Sequence, residues 1–380
     1  MSTIIRTRSP FFIRTPQETS SSLSYFQINI TVFGGLSSST EVCDDLYATY
    51  ALQKKPLGSE DSVTVDISEI VNDHLEQIFT GTYSASSAKS SIWVTVATSA
   101  RQSDGQIVPD TSVTSNTYLA QEGYNKFKEG VNYTTEPIAM ISSNYIQYHL
   151  GSTVTIPVNV ERVTSVQWRS GTGVRETDSF TDNGNQNQKI QYAQFTSTTL
   201  LDNALVTYDS GSTTTITLAP TEECKYPVNK ITFVNRWGAM QDLFFFKKSV
   251  DSLESKSESF NRSIFEARAV QLDPPEEPGG DCQESLTFNT YSTTEHAKKT
   301  FNANATESVL LNSGFVNELM NPYFEELMVS ENIWLTDSDS VIYPVNLKES
   351  SFTKKTGLND RLINYTMNFE KAFDLVNNIR

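Results

Sequence analysis

Residues 230–247 (KITFVNRWGAMQDLFFFK) constrain the fold more than any other stretch of the chain. Ile231 and Phe233 precede a break at Asn235, Arg236, Trp237 and Gly238, and Leu243, Phe244, Phe245 and Phe246 follow it. Gly238 can take a positive φ without steric cost, and Asn235 suits the start of a turn. The segment therefore reads as a β-hairpin with a short loop. Leu243 to Phe246 are apolar without alternation. Both faces of that strand must then be covered. One face is expected against the sheet of its own domain, the other against the C-terminal domain or a neighbouring subunit.

Period-two alternation recurs along the rest of the chain. In Tyr25–Phe33, Phe26, Ile28, Ile30 and Val32 share one face, and Gln27, Asn29 and Thr31 the other. The same pattern returns at residues 92–96, 204–208, 212–218, 285–291 and 362–369. Antiparallel sheets with one wet face produce this pattern. Helical spacing is rare. Ile67, Ile70, Val71, Leu75 and Ile78 suggest a helix over residues 67–79 capped by Ser68. A second helix is expected from Pro322, capped by Asn321, with Glu325 and Glu326 in its first turns. The expected class is mainly β, with serial antiparallel β-sandwich domains of immunoglobulin or fibronectin type, a few short helices and an α+β C-terminal part. The expected domains are 1–136, 137–250 ending in the hairpin, and 251–380. Residues 249–259, rich in Ser, Glu and Lys, read as a crossing between the last two.

Charge and cysteine usage narrow the chemistry. Net charge is −16, and no basic run is present. Phosphate-backbone binding needs clustered Lys and Arg, so direct nucleic-acid binding is not expected. The three cysteines, Cys43, Cys224 and Cys282, are scattered, which argues against a disulfide scaffold or thiolate zinc site. The opening residues have no apolar core of signal-peptide length, and no apolar run approaches a membrane helix. Assembly in a reducing cytoplasm is the expectation.

No nucleophile elbow, zinc-helix motif, phosphate loop or dinucleotide turn occurs. His74, His149 and His296 lack metal-ligand spacing. Asp337 and Asp339 could hold calcium, but the twelve-residue calcium loop is missing. Glu325 and Glu326 are adjacent, and neighbouring helical residues do not face one another, so helix-dipole compensation explains them better than acid–base catalysis. The chain is expected to be no enzyme and to need no cofactor. The interaction surface is expected on loops over a rigid scaffold. The candidates are Asn235, Arg236, Trp237 and Gly238 in the hairpin turn, Asp182 and Asn185 in a polar loop, and Glu276 and Glu277 in a Pro- and Gly-rich loop.

Several phrases, in order, carry a resemblance. They are Gly123-Tyr124 with Phe127, Glu129, Gly130 and Asn132; residues 233–247; residues 311–316; residues 327–335; and Lys354-Lys355-Thr356 with residues 359–369. Together they resemble virion structural proteins of large tailed bacteriophages, especially contractile-tailed marine and cyanobacterial ones. The resemblance implies a structural subunit of the neck, tail or baseplate, assembled in the host cytoplasm. Its partners would be copies of itself and neighbouring virion proteins, with no membrane. The alternative is a receptor- or glycan-binding fibre module with Trp168, Trp237 and Trp334 as stacking platforms. A tail-associated hydrolase would need a pocket with two suitably spaced carboxylates.

Overall fold

The computed structural model describes residues 2–36, 46–57, 62–83, 89–135, 139–196, 200–271, 284–357 and 363–376. In chain order, β1 (Ile4–Arg6), β2 (Phe12–Arg14), β3 (Tyr25–Phe33), β4 (Leu46–Lys54) and β5 (Thr64–Asp66) precede a short helix, α1 (Ser68–Asn72). Then come β6 (Ser91–Arg101), β7 (Thr114–Gln121), β8 (Tyr145–His149), β9 (Thr153–Asn159), β10 (Val163–Ser170) and β11 (Gly173–Ser179). They are followed by β12 (Ile190–Thr196), β13 (Asn203–Tyr208), β14 (Thr213–Thr221), β15 (Asn229–Val234), β16 (Met240–Phe245) and β17 (Val250–Asn261). The rest are β18 (Phe265–Gln271), β19 (Glu284–Tyr291), β20 (Lys298–Asn312), α2 (Asn321–Leu327), β21 (Ile333–Thr336), β22 (Ile342–Leu347) and β23 (Thr366–Asp374). The protein is mainly β, with several antiparallel sheets and few short helices.

The chain divides into two compact units: residues 1–250 with 310–372, and residues 251–309 with 373–380. One unit boundary falls between residues 250 and 251. Residues 310–372, expected in the C-terminal domain, instead belong with the first unit. The reason is pairing: β21 joins the hairpin, with Ile231 opposite Leu335 and Phe233 opposite Ile333. The boundary expected after residue 136 lies outside the described residues.

Within the first unit, one sheet runs in the order β1-β7-β6-β3-β4. The alternation of β3 is realised as read: Phe26, Ile28, Ile30 and Val32 are all buried. They share a core with Val94 and Val96 of β6, and with Ile13, Val63, Ile67 and Val71 from the β2–β5 ribbon and α1. The helix expected over 67–79 stops at Asn72. Ser68 does not cap it; Asp66 Oδ1 accepts from the Ser68 amide at 3.0 Å and hydroxyl at 2.8 Å. Beyond it, Phe79 leaves the helical path to meet the rings of Tyr83 and Trp334 at a tilt. A second sheet runs β11-β10-β13-β14-β8, and β9 pairs with β12. Trp168 of β10 is fully buried against Phe195 of β12, with ring centroids 5.7 Å apart.

The third sheet of this unit contains β16-β15-β21-β22-β23 in that order. It curls, so that β16 and β23, four places apart, meet: Phe245 and Phe369 lie 5.9 Å apart edge to face. Phe324 of α2 meets Phe245 at 6.4 Å and Tyr365 at 4.5 Å. Every residue of β16 is buried. Its lack of alternation is thus explained: Phe245 faces α2 and β23, while Asp242 and Met240 face Phe79, Tyr83 and Tyr192. The face carrying Met240 and Asp242 meets Phe79 and Tyr83 from the N-terminal part. Asn321 does not cap α2. Asn317 caps the turn before it, accepting from the Leu319 amide at 2.9 Å. The Asn321 side chain instead donates to Lys355 O at 2.8 Å and accepts from the Tyr365 hydroxyl at 2.6 Å.

In the second unit β18 pairs antiparallel with β19. The stretch read as a crossing, 249–259, is largely β17, which is paired with β20.

Candidate functional site

The hairpin turn is the centre of a buried polar lock, not a surface loop. Asn235, Arg236 and Gly238 are buried and Trp237 is half-buried. Asn235 Oδ1 accepts from the Trp237 and Ala239 amides at 2.9 and 3.1 Å, and its Nδ2 donates to Met140 O and Gln241 Oε1 at 2.7 and 2.9 Å. This is the turn-starting role foreseen for an asparagine, with the side chain's spare donors used across the chain. The Arg236 amide donates to Glu326 Oε2 at 3.2 Å, and its carbonyl accepts from the Tyr124 amide at 3.0 Å. The Arg236 guanidinium bonds Glu129 Oε2 at 2.8 Å. It also lies 4.2 Å from the centre of the Trp237 ring, and the Arg6 guanidinium lies over the same ring at 4.7 Å. Gly238 has φ +80, and a Cβ there would stand 1.9 Å from Glu122 O. Three segments remote in sequence, 122–130, 235–238 and 321–327, are pinned at one point.

Electrostatics bind the same point. The Arg236 hydrogen bond holds the Glu129 carboxyl below its ordinary value. Glu325 is opposed by partial desolvation, but Lys126 at 2.9 Å and Lys354 outweigh it and bring its carboxyl down to about 2. Glu326, next in sequence, is buried, and burial pushes its carboxyl up even though Ser142 Oγ donates to it at 2.7 Å. The two adjacent glutamates thus point into different surroundings and do not act as a pair.

A second buried cluster lies on the other face of β16. Asp242 Oδ1 accepts from the Tyr83 hydroxyl and from Thr232 Oγ1 at 2.7 Å. Lys230 Nζ is 3.6 Å from Asp242 Oδ2 and 3.1 Å from the Tyr83 hydroxyl. Burial, then the Asp242 charge, raises the Tyr83 hydroxyl well above its ordinary value. A tyrosine held protonated serves here as a donor to a buried carboxylate. Neither cluster was legible as a unit, because the members of the first are spread from Arg6 to Lys354 and those of the second from Tyr83 to Asp242.

The other sequence candidates are dispersed. Asp182 pairs with the buried Lys189 at 2.7 Å, and Asn185 is exposed at the same loop's tip. Glu276 and Glu277 lie outside the described residues. Trp168 and Trp334 are buried, and Trp168 Nε1 donates to Asp178 at 2.8 Å. With Trp237 under two guanidiniums, none of the three offers a free ring to a sugar. His74 Nε2 meets the Tyr50 hydroxyl at 2.7 Å, and His149 Nδ1 lies 3.3 Å from Thr221 O. Asp337 Oδ1 accepts from the Asp339 and Val341 amides, both at 2.9 Å, which makes a turn. Among the described residues, no cluster of His, Cys, Asp and Glu could hold a metal ion, and no helix is long and apolar enough to cross a membrane.

A cleft of ≈ 690 Å³ lies beside α1 and carries Asp66, Glu69, Asp73 and Glu331. Asp66 is used by backbone and Ser68 donors, and Glu331 pairs with Arg8 at 3.0 Å. All four carboxylates are exposed.

Two exposed features stand apart from these networks. Phe127 is fully exposed on a 3₁₀ turn, Phe127–Glu129, whose flanks are fixed by the Lys126–Glu325 and Glu129–Arg236 ion pairs. And all twelve residues of β17 are exposed. Comparison with known proteins adds no identity: no family model matches the chain, and no curated protein matches it.

Proposed function

We propose that the chain is a non-enzymatic structural subunit of a tailed-phage virion, which oligomerises in the neck, tail or baseplate and connects other virion proteins. The observation that carries this reading is β17. Its twelve residues are exposed on both faces, Leu253 and Phe260 among them. A strand of that kind buries almost nothing within its own chain. Strands with two wet faces are marginal alone, and neighbouring subunits are what commonly cover them. The polar lock in the first unit supports the same reading. Its charges pair within it, Arg236 with Glu129 and Lys126 with Glu325, as suits a rigid part that works by geometry. The phrases that resemble phage structural proteins contribute two of its three segments, 122–130 and 235–238.

The test has two arms. Light scattering on the purified full chain should give an oligomer, and mass spectrometry of density-purified phage particles should find the chain among their proteins. A chain that stays monomeric at high concentration and is absent from purified particles would sink the proposal.

A further inference from the structure

β17 ends its sheet order: β20 is hydrogen-bonded on one side, and no strand lies on the other among the described residues. Ser252 Oγ meets Ser308 Oγ at 2.8 Å across the β17–β20 pair. An open edge offers a row of backbone donors and acceptors, which proteins guard with short strands, prolines, bulges or inward charges. β17 is twelve residues long and contains no proline.

We propose that β17 is a self-pairing edge, through which two copies of the chain join antiparallel about a two-fold axis at Ser255. This deepens the assembly reading above and rests on it.

Symmetry, charge and paired length together select the register. Directly opposed residues in antiparallel strands share a face, so a two-fold axis normal to the sheet must pass between a residue and its own copy. With the axis at Ser255, Glu254 of each copy lies opposite Lys256 of the other, and Val250 lies opposite Phe260. Asp251 and Glu258 fall opposite serines, so no like charges are opposed. An axis at Glu254 would set that glutamate against its own copy. An axis at Lys256 would oppose two lysines and also Glu254 and Glu258. Axes at Leu253 and Ser257 also oppose no like charges, but they pair only Val250 to Lys256 and Leu253 to Asn261, whereas an axis at Ser255 pairs Val250 to Phe260. Phe260 already meets Phe301 edge to face at 6.0 Å, and Val250 of the second copy would extend that apolar contact.

Two measurements test the register on the full chain. The first is sedimentation at low salt. E254K sets lysine opposite Lys256 at both pairs and should weaken dimerisation by about tenfold or more. Yet it shifts the net charge from −16 to −14, so bulk repulsion alone would predict tighter association. The double variant E254K/K256E should restore the dimer. The second is thiol crosslinking, with Cys43, Cys224 and Cys282 replaced by serine. S255C should link efficiently to its own copy, and L253C, which faces Ser257, should not. An oligomer indifferent to E254K, or one linked equally well through both cysteines, overturns this register and leaves the assembly reading standing. A wild-type chain that is monomeric throughout overturns both.

Discussion

Replacing Gly238 by alanine tests the polar lock most directly. Two costs are expected. The first is conformational: at φ +80 an L-residue is strained by about 1 kcal/mol. The second is steric. The new Cβ would stand 1.9 Å from Glu122 O, where an ordinary carbon–oxygen contact is roughly 3.3 Å, so about 1.4 Å of movement is needed. The obstacle is backbone, and it cannot swing aside as a side chain would. Moving it also disturbs the Gly238 amide bond to Asn235 O at 3.0 Å and the Asn235 amide bond to Ala239 O at 2.9 Å. Overpacking of this kind costs about 1–3 kcal/mol, and each weakened hydrogen bond about 1 kcal/mol. The total expected for G238A is about 4–6 kcal/mol.

Gly211 provides the control. Its φ is +78, nearly the same, and nothing lies within 4 Å of the position its Cβ would take. G211A should therefore show the conformational cost alone, about 1 kcal/mol. The four tryptophans, Trp93, Trp168, Trp237 and Trp334, all belong to the first unit, so their fluorescence during urea unfolding reports that unit. A shift in midpoint at constant slope gives the difference. If the two variants lose equal stability, within about 0.5 kcal/mol, the close approach of Gly238 to Glu122 is not a rigid contact and the lock is not what fixes the turn.

Other variants probe the same framework. Burial raises the Glu326 carboxyl above its ordinary 4.5, so the folded state holds that proton more tightly, and stability falls as pH rises upward from 4.5. E326Q keeps an acceptor for Ser142 and Arg236 and should flatten that slope, being at least as stable as wild type at pH 8; a steeper loss above pH 6 would contradict the assignment. Glu325 runs the other way: brought down to about 2, it adds stability above 4.5 that is lost as pH falls towards 2, and E325Q should blunt acid unfolding in circular dichroism. F245A removes the ring shared by Phe324 and Phe369 and should cost about 3–5 kcal/mol in the same urea assay. Lys189 is fully buried between Glu161 at 3.4 Å and Asp182 at 2.7 Å. K189M leaves the buried Glu161 without its cation, at a cost of about 3 kcal/mol, and hydrogen exchange in residues 182–188 should rise.

Much of the fold was legible where a strand has one wet face. β3 was readable to its ends, because Phe26, Ile28, Ile30 and Val32 alternate with polar residues and the pleat has period two. The hairpin was readable from its apolar density and its Asn-Arg-Trp-Gly break. The helix over 67–79 was legible only in its first turn, because beyond Asn72 Leu75 packs on the N-terminal core without helical structure and Ile78 is exposed, while Phe79 is drawn into an aromatic cluster with Tyr83 and Trp334. The turn at 235–238 looked like a surface loop, since turns are usually exposed. Nothing local revealed that Met140, Glu129 and Glu326 would converge there. Those contacts span up to 107 residues from Arg236 to Glu129. Pattern reading sees a residue's own element, and a tertiary hydrogen bond lies beyond it.

β17 was hidden for the opposite reason. VDSLESKSESFN has the composition of a linker and lacks apolar alternation, because none of its residues meets a core in its own chain. The charge pattern that disguised it as a linker is also what would govern its pairing. Lys256 is the single cation of the strand, flanked by Glu254 and Glu258 on the same face. A lysine on an edge usually discourages further pairing. Here it discourages an axis at its own position and, with Glu254, leaves the neighbouring register at Ser255 free of like-charge opposition. The edge is then selective, not unguarded: repulsion removes the registers centred on Glu254 and Lys256, and the longer pairing with an apolar contact at each end favours Ser255 over Leu253 and Ser257. Specificity of that sort needs no large hydrophobic patch, which fits a strand whose exposed apolar side chains are only Val250, Leu253 and Phe260.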